Sequence, residues 1–253
     1  MAVIWIDSER FKPAEPWTPA NTTTTLWLDA ADASTTSVTS GKLLSWTDKS
    51  SSANKSATAI STGPNYLTNG LNSLPVIEFT AAAAQAMSLA SAVDSFNATI
   101  AIVARHDSNT LGQIFSHSTL NRQIRFQSTG GEVHLGGAFS GGNPFSMTSA
   151  GQTTGVYYII TINAPSLGGQ IFINGTNVTA SGNAPGSSFL FDQIGRRSTS
   201  NEPLHGKIAE TFWMPTSNNT TLRQQAEGYL GHRWGLAPDL PADHPYKAAA
   251  PTL

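Results

Sequence analysis

The chain has 253 residues, 39% of them hydrophobic, enough for one large β domain or two small ones. Only 12% are charged, about half the usual share. The formal net charge of −2 gives no electrostatic ground for a nucleic acid or an anionic membrane as partner. Cysteine is absent, which excludes a disulfide framework and thiolate metal sites. Solubility must then come mostly from Ser, Thr, Asn and Gly.

Residues 1–20 stand apart from the rest. Val3, Ile4, Trp5 and Ile6 form a short apolar run, followed by charges and then Pro13, Pro16 and Pro19. Proline at this spacing disfavours helix and predicts an extended arm. Such an arm either covers the domain's own surface or docks Val3, Ile4, Trp5 and Ile6 into a neighbouring subunit. Asp7, Glu9 and Arg10 break the pattern of a signal peptide. No apolar run approaches the ~18–20 residues that span a bilayer. The Asn-x-Ser/Thr triplets, as at Asn97 and Asn174, follow from composition and are read as unglycosylated.

Strand signals then come at short intervals. Leu26-Trp27-Leu28-Asp29 reads as a buried strand ending at a loop, with Ile208-Ala209-Glu210-Thr211-Phe212-Trp213 as its expected partner. Leu43 to Trp46 follows, and then Pro75-Val76-Ile77-Glu78-Phe79, with Ile77 and Phe79 on one side. Thr99 to Arg105 reads as a central strand. Ile124 and Phe126 share one face and Arg125 takes the other; His134 alternates with Val133 and Leu135 and should face out too. Residues 156–162 and 169–173 read as core strands, and Asn174-Gly175 is the clearest hairpin turn. One helix is predicted, opened by a Thr221/Gln224 capping box, with Leu222, Ala226, Tyr229, Leu230 and Trp234 on one face and Gly235 as its stop. The tail, residues 237–253, is expected to run extended. The division is thus an arm (1–20), one β domain (21–236) and a tail (237–253).

Two groups of segments carry a family resemblance. The first holds Trp17-Thr18-Pro19-Ala20, Leu26-Trp27-Leu28-Asp29-Ala30-Ala31-Asp32, Ser45-Trp46-Thr47-Asp48-Lys49-Ser50, Pro64-Asn65-Tyr66 and Pro75-Val76-Ile77-Glu78-Phe79. The second holds Gly206-Lys207-Ile208-Ala209-Glu210, Glu227-Gly228-Tyr229-Leu230-Gly231-His232-Arg233-Trp234-Gly235-Leu236 and Leu240-Pro241-Ala242-Asp243-His244-Pro245-Tyr246. Together they resemble the laminin-G-like, concanavalin A-type jelly roll of bacteriophage and prophage virion proteins and of some bacterial surface proteins. The resemblance spans Trp17 to Lys247, although the middle matches only in strand rhythm. After Glu210 the run Thr211-Phe212-Trp213-Met214-Pro215 departs from a more aliphatic pattern. The resemblance implies an all-β, concanavalin A-like (LamG-like) jelly-roll sandwich with one C-terminal helix, and a habit of binding rather than an activity.

Catalytic motifs are missing. The Glu-x-Asp-x-x-Glu pattern of glucanases of this fold does not occur, nor does a Gly-x-Ser-x-Gly elbow, a phosphate loop or His-x-x-x-His. Asp29, Asp32 and Asp48 could line a calcium site, the one cofactor considered, but Asp at a strand end more often caps a turn. Trp27 and Trp46 could stack on sugar; apolar neighbours favour burial instead. Arg122, Arg125 and His134 are the better surface candidates for a glycan, with a solvated sheet face as the plain alternative. Arg196-Arg197 could hold an anion or simply sit in a loop. The resemblance, together with the apolar arm and the missing catalytic motifs, implies a non-enzymatic phage virion structural protein, a capsid decoration or tail component assembled in the bacterial cytoplasm. Its partners would be other virion proteins and further copies of itself. The alternative is an adhesion module that recognises host-surface glycans.

Overall fold

The computed structural model describes residues 14–81, 85–128, 130–138, 144–165, 168–182, 186–197 and 202–253. Two antiparallel layers stack face to face. In the first, β1 (Leu26–Asp29) pairs with one half of β18 (Gly206–Met214), and β6 (Leu74–Phe79) with the other half. On the far side of β18 follow β8 (Ala98–His106), β13 (Tyr157–Ala164), β14 (Gln170–Ile173) and β15 (Thr176–Asn177); β5 (Asn65–Leu71) extends β6. The second layer runs β2 (Thr36–Thr39), β3 (Lys42–Trp46), β4 (Ala57–Ile60), β7 (Ala86–Asp94), β17 (Leu190–Ile194), β9 (Gly112–Ser116), β10 (Arg122–Phe126), β11 (Val133–Ala138), β12 (Pro144–Ser149) and β16 (Thr179–Gly182).

The expected closure of first strand on last is present: Leu26 faces Trp213 and Asp29 faces Glu210. The unusual Thr211-Phe212-Trp213-Met214 run continues β18 to its end, fully buried. β18 can be apolar on both faces because both are covered. One core lies between the layers, with Leu26, Leu28, Ile100 and Ile102 from the first packing on Phe115, Ile124, Phe126 and Leu135 from the second. The other lies outside the first layer, where Trp27, Val103 and Phe212 meet Ala226, Leu230 and Trp234 of α1 (Thr220–Trp234). The molecule is thus a helix, a sheet and a second sheet in three layers. No helix among the described residues is long and apolar enough to cross a membrane.

The N-cap of α1 is Asn219, not Thr221: its side chain accepts from Leu222 N at 3.0 Å. Asn ranks with Ser and above Thr at this position, so the earlier residue takes it. The helix stops at Gly235 in the left-handed conformation (φ 73°), as expected. The tail does not merely run over the surface. Tyr246 crosses α1 at Gly228, where a Cβ would lie 2.4 Å from Tyr246 Cβ. Pro16 bridges to Thr252, and Trp17, buried to 4% exposure, packs edge-on against Tyr229. Residues 14–20 and 237–253 therefore pack on the same body as the β domain.

Two buried carboxylates fasten these layers. Glu210 on β18 accepts from Trp27 Nε1 (2.8 Å), Trp234 Nε1 (2.7 Å) and Tyr229 OH (3.0 Å), and pairs with Arg233 Nε at 3.2 Å. Burial and the neighbouring Asp29 carboxylate push Glu210 up to about 7, against the pull of Arg233 and the indole N–H groups. Glu227 on α1 takes Arg223 Nη1 on both oxygens at 2.6 Å, Thr161 Oγ1 from β13 at 2.7 Å, and His244 Nε2 from the tail at 3.1 Å. The Leu-Trp-Leu-Asp, Glu-Gly-Tyr-Leu and His-Pro-Tyr segments that carry the resemblance are thus the wiring between sheet, helix and tail.

Candidate ligand-binding face

The outer face of the second layer is polar. Side chains at register-paired positions of a sheet point the same way. Thr58 on β4 pairs with Ser88 on β7, Ser88 with Gln193 on β17, and Gln193 with Ser116 on β9. The row continues through Gln123 on β10 and Gly136 on β11 to Ser146 on β12. One step along lie Gln113, Arg125, His134 and Thr148, again paired across strands. The rows between them, Phe115, Ile124, Leu135 and Met147, point into the core. Alternation along each strand thus puts apolar residues inward and a continuous polar strip outward.

The centre of this strip is polar and yet sheltered: Gln113, Ser116, Gln123, His134 and Gln193 are all buried. The segment after β17 returns beside β9, with Leu204 N donating to Gly195 O and Gln113 N to Glu202 O. It brings Arg197 and Glu202 onto the strip. Arg125 donates to Gln123 Oε1 at 2.9 Å and lies 3.6 Å from Glu202; Arg197 lies 3.9 Å from the same carboxylate. His134 Nε2 is 2.9 Å from Ser146 Oγ, and burial, with Arg125 opposite, holds its imidazole at about 4, hence neutral. Gln113 Oε1, Gln193 Oε1, Arg125 Nε and His134 Nδ1 are buried with no hydrogen-bond partner among the described residues. Buried polar atoms are almost always satisfied, so four such atoms on one strip set it apart from the other buried polar positions. A cleft of about 490 Å³ opens beside Glu202, between Thr110, Leu111, Ser128 and Pro203.

Of the residues singled out in the sequence, Arg125 and His134 come together as register partners on this strip. Neither is openly solvated, because neighbouring strands and the returning segment shade them. Arg122 does not join them. It lies on the row of Ile124 and Phe126, with its guanidinium 5.0 Å from the Phe189 ring centroid. Alternation alone predicts that separation, since 122 and 125 differ by an odd number. Trp46 and Trp27 are buried, the second through its bond to Glu210.

The aspartates proposed for calcium are otherwise occupied. Lys49 Nζ sits between Asp29 and Asp32, at 3.1 and 2.7 Å, where a cation would bridge them. Asp32 also caps a turn through Ser34 N, and the Lys49 and Ser34 hydrogen bonds hold it down at about 2. Asp48 accepts from the backbone N–H groups of Trp27, Ser50 and Lys55 and from Ser50 Oγ. Among the described residues no group of three or more acids or histidines is placed to hold a metal ion. Asp29, Asp32 and Asp48 each accept from a backbone N–H two residues on, as turn-capping aspartates do. Val3, Ile4, Trp5 and Ile6 lie outside the described residues.

Sequence reasoning missed Gln113, Gln123, Gln193 and Glu202. The signal was there in part: Gln113-Ile114, Gln123-Ile124 and Gln193-Ile194 each set a glutamine beside an inward apolar residue. Their separation in the chain hid their adjacency in the sheet.

No protein-family model matches the chain, and no curated protein sequence matches it. Solved structures do. The binding domain of Paraclostridial Mosquitocidal Protein 1 aligns over 81% of this chain and 52% of its own at 13% identity, with a TM-score of 0.56. Domain 4 of AbnA, a GH43 extracellular arabinanase from Geobacillus stearothermophilus solved in complex with arabinotriose, aligns over 81% and 98% at 12% identity, also with a TM-score of 0.56. The botulinum neurotoxin type G receptor binding domain aligns over 81% and 51% at 12% identity and a TM-score of 0.51. This chain thus spans about half the length of the toxin binding domains it matches. What these likenesses establish is architecture: the chain folds as an all-β jelly-roll sandwich, here carrying a C-terminal helix.

Proposed function

We propose that the protein is a non-enzymatic binding module that recognises glycans on a host-cell surface through the outer face of its second layer. The observation that carries this reading is the sheltered polar strip, where Gln113, Gln193, Arg125 and His134 each keep an unfilled hydrogen-bonding atom. Sugar hydroxyls both donate and accept, as such a strip requires. The fold's company supports the reading, since the similar structures include toxin binding domains and a domain bound to arabinotriose. Hydrolysis is not favoured. The groups around Glu202 are Arg125, Arg197 and Gln113, whereas glycoside cleavage takes a pair of carboxyls. The test is an oligosaccharide panel run on the purified chain, first with calcium and then with chelator. The reading predicts saturable binding that survives chelation and is lost in Gln123→Ala and His134→Ala proteins that circular dichroism shows to be folded at the assay temperature. Silence from a well-folded sample across the panel overturns it.

A second reading concerns where the module works. The resemblance points to a phage particle, and the placement of the chain ends supports it: residues 15–17 pair with residues 251–253 on the helix side, opposite the polar strip. A chain anchored to a capsid or tail by residues 1–13 would present the strip outward. Because Trp17 is part of the second core, the deletion that tests the arm must stop at residue 13. Coexpression with particle components should then give a folded protein that no longer assembles. Unchanged assembly removes the arm from the account.

A further inference from the structure

Resting on the glycan-binding reading, we infer that the cleft beside Glu202 seats an N-acetylated sugar and grips it by the acetamido group. The cleft measures about 490 Å³, inside the ~300–1,000 Å³ range of small-ligand sites. Four separate segments meet around it: Ala81 after β6, residues 109–111 between β8 and β9, Ser128 after β10, and Glu202-Pro203 before β18. Ala81, Leu111 and Pro203 give it a compact apolar wall. The Asn109 amide and the Ser128 hydroxyl are exposed and bond to no described residue. Glu202 joins the cleft to the strip. Its Oε2 accepts from Gln113 Nε2, whereas Oε1 accepts from no described residue, and the side chain keeps 19% exposure. Unlike the orphaned atoms of the strip, Oε1 is therefore open to a ligand.

Each simpler sugar leaves part of this wall mismatched. An anionic one sets its charge beside Glu202. A cationic amino sugar gains little, because Arg125 at 3.6 Å and Arg197 at 3.9 Å already stand next to that carboxylate. A sugar with hydroxyls alone lays polar groups against Leu111 and Pro203. Among the described residues no aromatic ring lines the cleft, so recognition falls on a substituent rather than on a stacked ring face. An acetamido group meets all three features of the wall at once. Its N–H donates to Glu202 Oε1, a charge-assisted bond; its carbonyl accepts from Asn109 or Ser128; its methyl covers the apolar side.

The experiment titrates the full chain calorimetrically with the β1,4-linked pentamers of N-acetylglucosamine and of glucose, which differ only at the 2-position. The methyl glycosides of N-acetylgalactosamine and galactose repeat the comparison on another sugar. In at least one pair the acetylated member should bind about ten-fold or more tightly, the scale on which an apolar pocket reads a small group. That ratio should hold between about 20 and 500 mM salt, since no net charge is recognised. Asn109→Ala, an exposed position, and Leu111→Ser should each bring the ratio close to one and leave the affinity for the unacetylated member unchanged. A ratio that stays high in both folded variants overturns the placement in the cleft. Equal binding within both pairs overturns the inference while the glycan reading stands. Tighter binding of the deacetylated glucosamine pentamer also overturns it, because Glu202 then reads a cation. Failure of every saccharide, here and in the wider panel, overturns both.

Discussion

Glu210 offers the sharpest test of how the layers are fastened. Replacing it with Ala removes the acceptor of three donors: Trp27 Nε1, Trp234 Nε1 and Tyr229 OH. Arg233 keeps its second partner, Asp29 Oδ2 at 2.7 Å, so the ion pair is weakened rather than abolished. A buried donor left unsatisfied costs about 1–3 kcal/mol, so three of them, partly relieved by water at Tyr229, give about 4–6 kcal/mol. That is a large fraction of the ~5–15 kcal/mol of a native domain. Glu210→Gln keeps one acceptor oxygen at nearly the same volume and should cost about 1–2 kcal/mol at pH 5. The assay is urea unfolding followed by tryptophan fluorescence, with the slope m compared between variants. The pH dependence adds a sign. The folded-state value of about 7 lies above the ordinary 4.5, so this group's contribution is complete below about 4.5 and is lost as pH rises through 7. Glu210→Gln has no such proton and should show less of that decline. A Glu210→Ala protein destabilised by less than about 1 kcal/mol at constant m would refute the reasoning, because the three donors would then have found other partners.

Other consequences follow from single residues. His134 titrates at about 4 in the fold against an ordinary 6.5, so its contribution is present above 6.5 and lost as pH falls through 4; the loss, at most about 3 kcal/mol, should vanish in His134→Gln when unfolding is followed across pH. Trp17→Ala empties a site in the second core and should cost about 3–5 kcal/mol by urea unfolding. Gly228→Ala sets a helix-propensity gain of about 1 kcal/mol against a Cβ 2.4 Å from Tyr246 Cβ. Overpacking typically costs about 1–3 kcal/mol, so the net effect should be a lower melting temperature, with faster proteolysis of the tail as a second readout.

The fold was legible where the chain's own periodicity dictates it. The apolar run Leu26 to Asp29, the inward Ile124 and Phe126, and the Asn174-Gly175 turn follow from hydrophobic pattern and turn chemistry, whereas the partner of β1 in β18 follows from a sandwich closing its first strand on its last. The helix start was misplaced by two residues because Asn219 and Thr221 both suit an N-cap, and only the backbone path decides between them. The site was half legible. Arg125 and His134 face away from the core as read, but their shelter comes from strands and a returning segment distant in sequence. Arg122 was grouped with them by proximity in the chain, against the alternation that separates them. The aspartates read more readily as turn caps than as a calcium site, but nothing in the local pattern shows that Lys49 lies between two of them. Pairings across dozens of residues, such as Ser116 with Gln193, leave no mark on local pattern.

The central claim is that ligand meets the outer face of the second layer, and amide NMR shift mapping tests it most directly. The isotope-labelled chain would be titrated with the tightest-binding oligosaccharide of the panel. The account predicts perturbed amides on β9, β10, β11 and β17, with α1 and β18 silent. Shifts confined to the helix side or to the sandwich's edge loops would contradict it.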